Sequence, residues 1–474
     1  MARPIALAGA ALATLAALAG CASLAPPVPA PRPGVPKTFA SSQTLAGTHG
    51  QAPASTGEVT AIDWRDFFVD PALQEVIGAA LVDNRDLRVS VLNVERARAQ
   101  YRIQRAQRVP TIGVGASESR MGGGSRAPLA QDGYTVALGL SSFEIDLFGR
   151  VRDLSRAALE SYFALDATRR AARLTLIGEV ASAWLTLGAD HELLEVSRET
   201  LTSQEASYEL MRRQHELGAV SGLDLAQAET TVATARSDVA SLTGQVAADR
   251  DALELLVGRP LEPQWLPNAL GAVTVLAAPP ASLASEVLLR RPDVIAAEHD
   301  LRSANANIGA ARAAFFPSIT LTTRAGTISS ELSGLFRGGS GFWSFSPQLN
   351  LPIFDSGALQ GNLDVARANE NIALAQYEKA VQSGFREVAD ALALEQTLAR
   401  QQRAQRELVD AATRAHRLSL ERYKAGRDSY VTLLVAQRTQ YAAQQSLVRT
   451  RLAAESNRVA LYTALGGDWR EQPP

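Results

Sequence analysis

Two long amphipathic runs dominate the chain. From Arg150 to Arg259, and again from Ile353 to Gln472, no proline occurs and the residues lean to Ala, Leu, Gln, Glu and Arg. Apolar positions such as Leu176, Val180, Trp184 and Leu187 return at helical spacing. The only turn signals inside these runs are LGAVSGLD, which carries Gly218 to Asp224, and AGRDSY, which carries Gly426 to Tyr430. Each run is therefore predicted to be a helical hairpin, over 150–257 and 358–465, with one arm of about 65 residues, roughly 100 Å long. A helix of that length does not belong in a compact globule. On periodicity alone, an ordinary coiled-coil hairpin reads the same way.

Ahead of each hairpin the pattern changes twice. A helical segment, Asp70 to about Arg108 and Leu283 to about Ala314 with a break near Pro292, precedes two strand-like segments. The strand pairs lie within 111–147 and 318–351, where Tyr134, Val136, Leu138 and Leu140, and then Ile319, Leu321 and Thr323, alternate with small or polar residues. The two halves also match in wording. QRVPTIGV pairs with AFFPSITL, GEVASAWL with REVADALA, ELGAVSGLDL with KAGRDSYVTL, and LLVGRP with TALGGD, at intervals that agree to within one residue. One interval through four stretches marks a duplicated unit. The organisation expected is a signal peptide at 1–20, a tether at 21–60, a first repeat at 61–258, a connector at 259–282, a second repeat at 283–468 and a tail at 469–474. The tether contains APPVPAPRPGVP, a polyproline-like stretch.

Charge and cysteine usage narrow the classes. Lys+Arg 47 against Asp+Glu 49 gives a net charge of −2, which offers no electrostatic footprint for nucleic acid. The single cysteine, Cys21, ends an apolar N-terminal run in the sequence Leu18-Ala19-Gly20-Cys21. A lone thiol makes neither an internal disulfide nor a cysteine metal cage. The run is too short for a comfortable membrane span and reads as a signal peptide, with Cys21 as the acylated residue of a bacterial lipoprotein; a plain secretory signal remains the alternative. Ala22, rather than Asp, follows the cysteine, which points to the outer membrane. No later run is long and apolar enough for a transmembrane helix, so a membrane crossing would fall to the strands. Four strands do not close a barrel with a lumen, because the smallest outer-membrane barrels have about eight; several chains would have to share one.

LLRRPDVIAAEHDLRSANANIGAARAAFFPSITL, from Leu288 to Leu321, and RYKAGRDSYVTLLVAQR, from Arg422 to Arg438, carry a resemblance. The chain resembles the outer membrane factors of tripartite efflux systems, the TolC-like exporters, and within them the NodT-type lipoprotein subgroup, from Trp64 to Trp469. That resemblance implies a mainly α fold with a transmembrane β-barrel contribution: a homotrimer forming a β-barrel and α-barrel tube. It also implies partners, a periplasmic adaptor (membrane fusion protein), an inner membrane efflux pump and outer membrane lipid, and a passive conduit without cofactor beyond the lipid on Cys21. The helical turns would be the adaptor-contact tips, with Gly218 and Ser221 matched by Gly426 and Ser429. Helix punctuation alone would use the same residues. Val431, Val435 and Arg438 share one helix face and by resemblance line the periplasmic gate, with Asp224 as a candidate partner for Arg438. Family members often carry Asp where Val435 stands, so a valine collar closing by dewetting is expected here; interhelix packing is the plainer alternative.

Enzyme chemistry finds no constellation. The 5 histidines form no HxxxH or HExxH pattern, and the glycine clusters match neither a phosphate loop nor a dinucleotide fingerprint. With 3 methionines, Met1, Met121 and Met211, a methionine-based copper relay is not expected. Tyr134, Phe342 and Trp343 flank the strands, as an interfacial aromatic girdle or as loop packing. The remaining competitor is a periplasmic coiled-coil lipoprotein or adaptor linking the membranes without a pore. It would be expected to carry one helical hairpin rather than two.

Overall fold

Asp, Asn and Gly residues set most of the element boundaries. Asp63 caps α1 (Trp64–Phe67) by accepting the Arg65 N–H at 2.8 Å, and Asp70 caps α2 (Pro71–Asp83) by accepting from Ala72 and Leu73. The single helix expected from Asp70 to Arg108 is interrupted at Asn84. There the backbone is extended, Oδ1 accepts the Leu87 N–H inside α3 (Arg85–Ala106), and Nδ2 donates to the Leu256 carbonyl, each at 2.7 Å. A polar side chain with partners on both sides outcompetes one continuous helix.

The structure is a computed structural model and describes residues 23–39, 63–120, 133–271, 274 and 285–467. The signal peptide, Cys21, Met121, much of the connector and the tail lie outside the described residues. After α3 come β1 (Ile112–Ser119), β2 (Gly133–Ile145), α4 (Arg150–Glu216) and α5 (Gly222–Val257). The second half repeats the order with α6 (Pro292–Ala313), β3 (Ser318–Ser329), β4 (Gly341–Asn350), α7 (Ala358–Lys424) and α8 (Tyr430–Ala464). The arms α4 and α7 are 67 residues each. Their starts share one device. Asp146 accepts from the Val151 and Arg152 N–H groups at 3.1 and 2.8 Å, and Asp355 from Gly357 and Leu359 at 3.0 and 2.6 Å. Gly149 and Gly357 turn the chain between strand and helix with φ of 78° and 87°.

Two compact units form, and each draws on both halves of the duplication. One comprises Met1–Arg32, Leu92–Ala167 and Ile295–Lys379, the other Pro33–Val91, Thr168–Val294 and Ala380–Pro474. The first holds one antiparallel sheet in the order β1-β2-β3-β4. Its central seam, β2 with β3, joins the two halves: Tyr134 faces Ser329 and Ile145 faces Ile319, with a register shift between Leu140 and Phe143. Gly139 and Gly326 sit where no Cβ fits between the paired backbones. Many strand side chains are apolar and exposed, Val114 at 74% and Trp343 at 79% among them. Tyr134, Phe342 and Trp343 lie toward the end of the sheet away from Asp146 and Asn350.

The proline-rich tether is not a free linker over its described part. Its extended backbone is received by helix side chains as a strap. In the first unit, Arg312 and Asn305 donate to the Leu24 and Pro26 carbonyls at 3.0 and 3.1 Å, and Arg32 N–H donates to Glu378 at 2.7 Å. In the second unit, Gln382 donates to the Pro33 carbonyl at 2.8 Å, Ser285 donates to the Pro36 and Lys37 carbonyls, and Phe39 stacks on Phe385 at 4.6 Å. A polyproline-like chain has no internal hydrogen bonds, so its carbonyls are free to accept from a neighbour.

The second unit is built around Trp64, Phe67, Phe68, Leu73, Ile77, Leu185, Leu187 and Leu253, each buried. The described part of the connector belongs to this core, with Leu261 and Leu270 buried and the Trp265 carbonyl accepting from Trp184 Nε1 at 2.9 Å. Between α4 and α5, burial and the facing Asp249 carboxylate push the Asp190 carboxyl up to about 6, against the charge of Arg449. An acid whose folded pKa is raised contributes no penalty at low pH and an increasing one as pH rises through the folded value. Asp190→Asn is therefore expected to raise the apparent Tm at about pH 7.5, by the equivalent of about 1 kcal/mol after allowance for solvent screening, and to leave it unchanged near about pH 4. A gain at both pH values would assign the effect to packing.

Candidate functional site

The two long arms end on the same backbone device. At the close of α4, Gly218 N–H donates to the His215 carbonyl at 2.9 Å and Ala219 N–H to the Gln214 carbonyl at 2.8 Å. At the close of α7, Gly426 donates to Tyr423 and Arg427 to Arg422, both at 2.9 Å. This nested pair is a Schellman turn and requires a residue in the left-handed region. Gly218 and Gly426 supply it with φ of 72° and 68°. No atom lies within 4 Å of a Cβ at either position, so glycine is required there for its backbone and not for space.

The returning helices are capped by serine. Ser221 Oγ accepts the Asp224 N–H at 3.1 Å while the Asp224 carboxylate accepts the Ser221 N–H at 3.3 Å and hydroxyl at 2.6 Å, a reciprocal capping box. Ser429 Oγ accepts the Thr432 N–H at 3.4 Å. The second turn is further braced by Arg422, whose guanidinium donates to both carboxylate oxygens of Asp428 at 2.7 and 2.8 Å and holds that carboxyl below the usual carboxylate range.

Beneath the turns the two hairpins share a small core. Met211, Ala228, Tyr430, Leu433 and Leu434 are buried together, and the Tyr423 hydroxyl lies 2.9 Å from Gln214 Oε1 and 2.8 Å from Met211 Sδ. Gln437, one turn on from Leu433 and Leu434, donates to Ser203 Oγ at 3.1 Å. Helix α8 therefore has two faces. Tyr430, Leu433, Leu434 and Gln437 are packed, whereas Val431 and Val435 are 45% and 58% exposed and Arg438 is exposed with them. Packing within the chain does not account for the two valines.

The predicted residues thus fall into two groups. Gly218, Ser221, Gly426 and Ser429 form the turns, and Val431, Val435 and Arg438 share one exposed face. Asp224 does not join them: its carboxylate is turned back onto Ser221, and among the described residues no ion pair links it to Arg438. Cys21 lies outside the described residues. Arg422, Tyr423, Asp428 and Tyr430 join the site through their contacts; along the chain their signal is an Arg–Asp and a Tyr–Tyr pair bracketing Gly426. Leu217 and Leu223 add exposed apolar surface at the first turn, at 84% and 68%. Among the described residues, no group of three or more His, Cys, Asp or Glu is arranged to hold a metal ion, and no helix is long and apolar enough to cross a membrane.

Comparison with known proteins gives a consistent set. The family described as outer membrane efflux protein matches residues 76–259 and 283–467. The antibiotic efflux pump outer membrane protein ArpC of Pseudomonas putida is 43% identical over 97% of this chain and 96% of that protein. The toluene efflux pump outer membrane protein TtgC, also of Pseudomonas putida, is 45% identical over 89% of this chain and 88% of its own length. The open-state crystal structure of the MtrE outer membrane channel of Neisseria gonorrhoeae superposes with a TM-score of 0.84 at 40% identity, covering 94% of this chain and 98% of that one.

Gly426→Ala is expected to cost about 1 kcal/mol through the left-handed backbone, and so to speed amide exchange over the end of α7 by about fivefold. Ser221→Ala should open the first turn of α5 by a similar factor. Unchanged exchange at both ends would show the turns to be held by the hydrophobic cluster beneath them.

Proposed function

The chain belongs to the outer membrane efflux protein family, and from that premise we propose that it works as a lipid-anchored homotrimeric conduit, opened at its helical turns by a periplasmic adaptor and serving an inner membrane efflux pump. Its role as an outer membrane efflux channel sets aside the pore-less linker. The observation that carries the assembly is the sheet, in which β1 and β4 are the outer strands and, among the described residues, keep one unpaired edge each. Hydrocarbon offers no partner to a free backbone edge, and closed barrels start at about eight strands. Edge pairing of β4 in one copy with β1 in the next supplies the missing bonds, and three copies give an even strand number within the range that barrels adopt.

Several features support the finer reading. The LAGC sequence ending at Cys21 is the expected acylation site, with two or more chains needed for a firm hold. Exposed Leu217 and Leu223 beside the Gly218 turn offer an adaptor an apolar contact. Val431 and Val435, brought round to the same side in successive turns of α8, would form a collar in the trimer that resists wetting, with Arg438 one turn further on. The names of ArpC and TtgC, which refer to antibiotic and toluene efflux, support small organic molecules as cargo. No cofactor enters this reading.

In mild surfactant the purified protein is expected to run as a heat-modifiable trimer by light scattering and gel mobility; a monodisperse single chain would remove the assembly. Val431→Ser combined with Val435→Ser is expected to raise the resting conductance of the trimer in a planar bilayer. Unaltered conductance would place the constriction elsewhere.

A further inference from the structure

The start of the strap rests on an unusual partner. Three donors hold it in the first unit: Arg312 on the Leu24 carbonyl, Asn305 on the Pro26 carbonyl, and Ser23 itself, whose hydroxyl donates to Asp153 Oδ1 at 2.7 Å. Asp153 stands in the first turn of α4, beyond the end of β2, and is 1% exposed. Its second oxygen, Oδ2, is buried and has no hydrogen-bond partner among the described residues. That oxygen faces Gly309 on α6, where a Cβ would collide with both Asp153 Oδ2 and the Ala25 nitrogen. Burial pushes the Asp153 carboxyl above the usual carboxylate range, against the Ser23 bond and the charges of Arg152 and Arg156. The charged groups that act on it are those two arginines on its own helix and Asp146 in the preceding turn; on α6, Arg312 holds the Leu24 carbonyl, and residues 23–26 of the strap bring no charge.

An ionised carboxyl with one dry, unpartnered oxygen is the unfavourable state of such a site, and the neutral acid is the favourable one. We propose that Asp153 is a protonation latch for the strap: its neutral form keeps residues 23–26 seated between α4 and α6, and its ionised form admits water to Oδ2 and releases them. The sign follows from linkage. Seating favours the protonated acid, so the seat is firm at low pH and weakens as pH rises through the pKa of the seated carboxyl. Gly309 is the complementary element, since only the absence of a side chain lets Ala25 and Asp153 approach α6 together. The latch goes beyond the channel reading and stands whether or not Cys21 carries lipid.

The test uses the full-length assembled protein in lipid nanodiscs, with a nitroxide attached through Val28→Cys, an exposed strap position. The mobile fraction of the label is expected to rise several-fold from about pH 4, near the ordinary carboxylate value, to about pH 8. Adding Asp153→Asn should leave the label immobile at both pH values, and adding Gly309→Val should leave it mobile at both. A mobile fraction that ignores pH in the otherwise unaltered protein overturns the latch, as does an equal pH response with Asp153→Asn. Should Asp153→Asn fail to assemble, the titration without it still decides. The mass of the N-terminal peptide reports acylation of Cys21 separately, so absence of lipid and failure of the latch are distinct results.

Discussion

A polypeptide edge in hydrocarbon has no water to bond to, and that constraint organises the first unit. It explains why β2 and β3, from different halves, are zipped along most of their length, and why Gly139 and Gly326 give up side chains to let backbones close. It also explains the abruptness of the strand ends. Asp146 and Asp355 take the first free N–H groups of α4 and α7 within a few residues of the last ladder bond. The same solution appears twice because the same problem does.

At the other end of the arms the governing interaction is packing. Arg422 with Asp428 and the Glu209–Arg212 pair are ion pairs at the surface, where water screens the attraction and little net stability is gained. Burying a leucine such as Leu433 or Leu434 contributes roughly 1.5–3 kcal/mol. The cluster around Met211 and Tyr430 therefore fixes the rotation of α8, and the orientation of Val431 and Val435 follows from it.

Much of this was legible in the chain. Long proline-free runs gave the arms, whose observed 67 residues match the expectation from periodicity, and the repeated Gly-x-x-Ser marked both turns. Alternation gave the strand pairs because one face of a sheet must differ from the other. What escaped was decided by tertiary partners. Asn84 reads as an ordinary helix residue until Leu256, 172 residues on, is placed beside it. A proline-rich segment reads as a loose tether because its own residues make no bonds with one another. Its seat is written in Arg312, Asn305 and Gln382, far away in sequence.

The seam between β2 and β3 bears on ancestry. A half-length precursor would have had to find that pairing between separate molecules, at a rate set by expression level. Fusion made it intramolecular, with an effective concentration fixed by the linker. The two turns now differ: the first has the reciprocal Ser221–Asp224 bonds, whereas the second has Thr432 in the place of that acid and the Arg422–Asp428 clamp. Asymmetry of this kind lets selection alter one tip of the molecule without altering its sibling.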